Sequence, residues 1–72
     1  MIALQINGKR VELAQPTALL TYLDQLGVNQ RAVAVEHNGI IIERADYANT
    51  TLRDGDTVEI VRMVGGGLLG QS

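Results

Sequence analysis

The sequence predicts an α+β domain in which one helix covers one face of a mixed sheet. Three observations predict it. Apolar residues alternate with polar ones near both ends of the chain, from Ile2 through Ile6 and again from Thr57 to Val64, as half-buried strands require. A single stretch, about residues 18–26, carries leucines at helical spacing. Asn-Gly and Asp-Gly pairs punctuate the rest at 7–8, 38–39 and 54–55, where a chain reverses. One amphipathic helix and several one-sided strands hide their apolar surfaces most economically against each other.

The elements follow in order. Ile2, Leu4 and Ile6 face one way and Ala3 and Gln5 the other, a first strand. Asn7-Gly8 follows; both residues tolerate positive φ, so a tight hairpin is expected. Val11 and Leu13 continue the alternation in a second strand. Pro16 stops it, because it has no amide hydrogen to give a ladder. Thr17 is expected to cap the helix. Leu19, Leu20, Leu23 and Leu26 form the helix's apolar stripe, and Gly27 suits a left-handed C-terminal residue. Residues 32–36 read as a third strand, and His37-Asn38-Gly39 as a turn. Ile40-Ile41-Ile42 is β-branched throughout and makes a short strand. Residues 44–51 are irregular, with one helical turn near 46–48, and Leu52 plugs the core. Arg53-Asp54-Gly55-Asp56 turns into the last strand, Thr57 to Val64.

Composition narrows the function. The chain has 72 residues, 46% of them hydrophobic, with no Cys and no Trp. That is one folded domain, too apolar for a disordered segment and too short for a deep internal pocket. Six Lys and Arg stand against eight Asp and Glu, a net charge of −2. The cations are scattered, so the basic patch of a nucleic-acid binder is missing. No apolar run approaches the roughly 20 residues of a membrane span. The N-terminus has no basic region or cleavage site of a secretion signal, and the lack of Cys agrees with an expected cytoplasmic location.

Catalytic equipment is sparse. His37 is the only His and sits in a turn, where a solvated role is expected; Ser72 is the only Ser. No Ser-His-Asp or Cys-His arrangement can be assembled from them. Asp54, Asp56 and Glu59 do not have the spacing of a calcium loop and read as turn and strand residues. Glu43 and Asp46 are close in sequence, but nothing beside them equips them for acid–base work. No metal site is expected.

The one composition break is Gly65-Gly66-Gly67, followed by Leu68-Leu69-Gly70-Gln71-Ser72. It lacks the Lys, the spacing and the following helix of a phosphate-binding loop. The chain thus divides into a domain, residues 1–64, and a flexible tail, residues 65–72. A hairpin at Asn7-Gly8, one helix, an Asp-Gly-Asp turn, a last strand and a glycine run together resemble the ubiquitin-like β-grasp sulfur carriers. The stretch Arg53-Asp54-Gly55-Asp56-Thr57-Val58-Glu59-Ile60-Val61-Arg62-Met63-Val64-Gly65-Gly66-Gly67 looks most like the thiamine-biosynthesis branch, ThiS, of the MoaD/ThiS family.

The resemblance implies a β-grasp sheet of four to five strands whose first and last strands are parallel central neighbours. It implies that the chain is no enzyme but the co-substrate of others. In that family a ThiF-type adenylating enzyme uses ATP to activate the carboxylate of the last glycine. Sulfur originating from a cysteine desulfurase replaces AMP, and the resulting thiocarboxylate serves thiazole synthase, ThiG. Carried over, Gly67 is the reacting residue and Gly65 and Gly66 are the thread behind it; the chain itself binds no cofactor. Leu68–Ser72 departs from the pattern, because family members usually end at the glycines. Either a processing protease removes the five residues, or they were added for expression, or the chain is not a sulfur carrier. Carriers for molybdopterin, cysteine or a natural product, and a non-covalent β-grasp interaction module, are the alternatives.

Alternation also proposes a docking face. Leu4, Ile6, Leu19, Leu23, Val35, Val58 and Ile60 are the expected core. Period two then turns Glu59, Val61 and Met63 to the opposite face, where Val61 and Met63, with Ile41, form the expected partner-binding patch.

Overall fold

A computed structural model of the chain describes residues 1–63. Strands β1 (Ile2–Ile6) and β2 (Lys9–Leu13) form the N-terminal hairpin. Asn7 and Gly8 join them with φ of 54° and 81°, the left-handed values that match a two-residue turn to the twist of its strands. The short β3 (Thr17–Ala18) leads into helix α1 (Leu19–Leu26). The helix ends where Gly27 takes φ 76°, with its amide on Asp24 O at 3.0 Å and that of Val28 on Leu23 O at 3.2 Å. These bonds satisfy carbonyls that the last helical turn leaves unpaired. A 3₁₀ turn (Gln30–Ala32) enters β4 (Val33–His37), and β5 (Ile40–Ile41) hangs from it by the second Asn-Gly turn. A second 3₁₀ segment (Arg44–Asn49), β6 (Thr51–Leu52) and β7 (Thr57–Arg62) complete the described chain.

The main sheet has the order β2-β1-β7-β4-β5. Strands β1 and β7 run parallel at its centre, and the other pairs are antiparallel. This is the expected β-grasp arrangement, with five strands and one main helix. The core lies between sheet and helix: Leu4, Leu19, Leu23, Leu52, Val33, Val35 and Val58 are each at most 2% exposed. Ile6 is buried with them, whereas Ile60, expected as core, is only partly buried and packs at the cluster's edge.

One local expectation at the helix start needs correction. Thr17 does not cap the helix. It pairs with Leu52 in the small β3–β6 ladder, and its hydroxyl donates to Gln15 O at 2.9 Å. Ala18 holds the capping position without a side-chain bond, and the Leu19 amide donates to Thr50 O at 2.9 Å. A long-range backbone carbonyl thus satisfies an amide that a local hydroxyl usually serves. The irregular segment also contributes to the core. Tyr47, not singled out in the sequence, is 2% exposed, and its hydroxyl donates to Val33 O at 3.1 Å, as a buried phenol must. Among the described residues no helix is long and apolar enough to cross a membrane.

Candidate functional site

The helix covers one face of the sheet and leaves the other open. The register arranges the open face in rows. Ile41, Glu36 and Glu59 lie side by side across β5, β4 and β7, and Ala34 and Val61 form the next row. Together with the backbone at Val35 they line a shallow groove of about 450 Å³. Ile41 is 73% exposed and Val61 50%. Toward β1 and β2 the same face is polar, with Gln5 opposite Arg10 and Ala3 opposite Glu12, and Arg10 ion-paired to Glu12.

Of the three residues expected to form a patch, the structure brings Ile41 and Val61 to one groove. It does not bring Met63 there. Strand β7 ends at Arg62, one residue before Met63. The Met63 amide donates to Ala32 O at 2.8 Å. Met63 lines a different groove of about 280 Å³, with Val28, Asn29, Ala32 and Arg62, beyond the end of the helix. Gly65, Gly66 and Gly67 lie outside the described residues.

What the structure adds is the fastening of β7, the strand that leads to those glycines. Asn7 and Asn38 both sit at positive φ, 54° and 53°, each just before a glycine, on opposite sides of β7. Asn7 accepts from the Ile60 amide through Oδ1 at 2.7 Å and donates from Nδ2 to Ile60 O at 3.3 Å. Its own amide donates to Val58 O at 2.8 Å. A side-chain amide thereby extends the parallel ladder where β1 has already turned away. Asn38 mirrors this on the other flank. Its amide donates to Thr57 O at 2.7 Å, and its Oδ1 accepts from the Thr57 amide at 2.8 Å. The Asn-Gly pairs are visible in the sequence as turns, but their side chains reach 53 and 19 residues away, a range that local reading does not cover.

The base of β7 is held by Asp56. Its Oδ2 meets His37 Nε2 at 2.7 Å and accepts from the Arg53 amide at 2.8 Å, while Oδ1 accepts from Asn38 Nδ2 at 3.1 Å. Burial alone would raise this carboxyl. The hydrogen bonds from His37, Arg53 and Asn38 and the charge of His37 outweigh it, so the group titrates below its ordinary value. His37 is therefore not the solvated turn residue expected: its side chain is 22% exposed and bonded to Asp56. Asp54 also serves the turn, accepting from the Ala3 amide at 2.8 Å. Among the described residues no group of His, Asp and Glu could hold a metal ion.

The architecture can be set beside known proteins. The ThiS family matches residues 4–67. The chain is 38% identical over 65 residues to the sulfur carrier protein ThiS of Bacillus subtilis, covering 89% of this chain and 98% of that protein. It is 41% identical over 64 residues to the thiazole synthase of Paramagnetospirillum magneticum, where the match covers 89% of this chain but only 20% of the relative's length. The crystal structure of the thiamine biosynthesis protein ThiS from Geobacter metallireducens superposes with a TM-score of 0.78 at 38% identity, covering 92% of this chain and 100% of that one. A family match through the third glycine, a relative covered almost end to end and a closely superposing solved structure agree: this chain belongs to the ThiS family.

Proposed function

We propose that this chain is a sulfur carrier for thiamine thiazole synthesis, a co-substrate rather than a catalyst. The observation that carries the reading is the family match through residue 67, the last of the three glycines. The similarity to a thiazole synthase over almost the whole chain supports thiazole synthase, ThiG, as the receiver of the sulfur.

The chemistry needs a free carboxylate on Gly67. The Gly67–Leu68 peptide bond must be cleaved first, because a carbonyl carbon bonded to nitrogen has no carboxylate oxygen with which to form the acyl adenylate. The freed carboxylate attacks the α-phosphorus of ATP in a ThiF-type enzyme, and pyrophosphate leaves. A persulfide sulfur supplied through a cysteine desulfurase attacks the acyl carbon and displaces AMP. A thiol then reduces the S–S bond and leaves the thiocarboxylate. Glycines suit the thread because, without a Cβ, the backbone can lie against a narrow channel wall. Ordering such a segment costs roughly 1–2 kcal/mol per residue, which contacts elsewhere on the domain must offset. The Ile41–Val61 groove is the proposed place for them; Met63, on its separate groove beside Arg62, is proposed to meet the partner at the root of the thread. The absence of Cys from the chain leaves no internal thiol to attack the adenylate.

Pyrophosphate exchange on three chain lengths tests the reading. With a ThiF-type enzyme from the same cell, the chain ending at Gly67 exchanges and the 72-residue chain does not. A chain ending at Gly66 reacts poorly, its carboxyl falling about 3.5 Å short. Exchange by the 72-residue form equal to that of the form ending at Gly67 would show that Gly67 is not the chemical end. No exchange by any form would overturn the carrier reading.

A further inference from the structure

The open face pairs apolar side chains with two carboxylates that have no ion-pair partner among the described residues. Glu36 and Glu59 are direct cross-strand neighbours, which places their Cβ atoms about 4.5–5.5 Å apart on the same face. Like charges so placed destabilise a sheet, so stability does not explain them. Among the described residues neither forms an ion pair; the pairs present are Arg10–Glu12 and His37–Asp56. Glu36 is half-buried between Ile41 and Glu59, and the groove they share with Ala34 and Val61 is otherwise apolar.

We infer that this groove docks the activating enzyme through an arginine of that enzyme set among aliphatic side chains, its guanidinium bridging Glu36 and Glu59. The inference rests on the carrier reading and adds the chemistry of the contact. A guanidinium offers five donors in one plane and can serve two carboxylates at once, whereas an ammonium is a compact, strongly hydrated charge. Seating it removes the Glu36–Glu59 repulsion, so the complex gains what the free domain loses. The aliphatic neighbours of the arginine cover Ile41 and Val61, the side chains the domain leaves bare. Charge then decides which partner fits, and apolar area holds it.

Calorimetric titration of the full 72-residue chain into the ThiF-type enzyme tests this, since docking on the sheet needs no free Gly67. The variants are Glu36→Gln, Glu59→Gln and the double change, each also melted thermally. The expected result has two opposite parts. The double variant melts at or above the wild-type temperature, because a repulsion is gone, while its Kd rises about tenfold or more. The gap narrows as salt is raised, although a partly buried contact is screened less than an exposed one. An unchanged Kd for the double variant overturns the inference and leaves the carrier reading standing. So does weaker binding accompanied by a lower melting temperature, which would assign the pair to the fold. If the wild-type chain does not bind, the inference falls, and pyrophosphate exchange by the form ending at Gly67 decides the carrier reading separately.

Discussion

The two faces of the central sheet are built from the same strands and have opposite characters. On the helix side, Leu4, Val35 and Val58 are at most 2% exposed, although Ile60 beside them is not fully covered. On the other side, Val61 and Ile41 are at least half exposed, next to two carboxylates paired across β4 and β7. The first face is accounted for by burial, at about 25 cal/mol per Å² of apolar surface removed from water. The second face gains nothing comparable in the isolated domain. The difference separates residues that hold the fold from residues that are free to serve a partner, and substitutions should respond accordingly.

The largest effect is expected on the helix side. Leu23→Ala removes a side chain that is 1% exposed at the heart of the core and should cost about 2–5 kcal/mol in denaturant unfolding. Ile60→Ala, at the core's edge, should fall at or below the lower end of that range. Equal losses for the two would break the distinction between centre and edge. Asn7→Ala comes next, because it removes both bonds to Ile60 and strains the turn at φ 54°. Asn7→Gly keeps the turn and removes only the bonds; it should still cost about 1 kcal/mol and speed hydrogen exchange of the Ile60 amide. Exchange as slow as in the wild type would show that the side chain does not hold β7.

A smaller effect depends on pH. Asp56 titrates below its ordinary value of 3.8 in the folded state. Its contribution is therefore complete above that ordinary value and is lost as pH falls through the lower folded value. Between pH 5 and 2, Asp56→Asn should flatten the acid limb of the urea midpoint, and an unchanged slope would assign the acid sensitivity to other carboxylates. The smallest effect on stability belongs to the open face. Val61→Ser should shift unfolding by no more than about 0.5 kcal/mol yet weaken binding to the activating enzyme, measured on the 72-residue chain. A stability loss matching that of Leu23→Ala would erase the contrast between the faces.

Much of this fold can be read from local pattern. Alternation in Ile2–Ile6, the Asn7-Gly8 turn, the leucine stripe closed by Gly27 and the plug at Leu52 all depend on neighbours in the chain. The misreadings of Thr17 and His37 share one cause: a distant segment supplies what local chemistry would otherwise assign. Thr17 lost its capping role to a carbonyl in the Thr50 region. His37 found Asp56 across 19 residues. Met63 lies one residue past β7, and its amide pairs with Ala32 in continuation of the β4–β7 register. The candidate site was legible in proportion: Ile41 and Val61 by periodicity, the Glu36–Glu59 pairing only once the β4–β7 register was known. The glycines at 65–67 are singled out by resemblance, since as composition they are only a glycine run, and they lie outside the described residues.

The clamping of β7 has a mechanical consequence. An edge strand peels away one hydrogen bond at a time. Strand β7 is bordered by β1 and β4, and Asn7 and Asn38 close the gaps at their turns. A pull on the chain beyond Met63 must therefore shear bonds along both borders together. Under the proposed function, a partner enzyme that draws on the chain after Met63 meets a fixed stop at the domain, and the reach of Gly67 is set by the count of residues after β7.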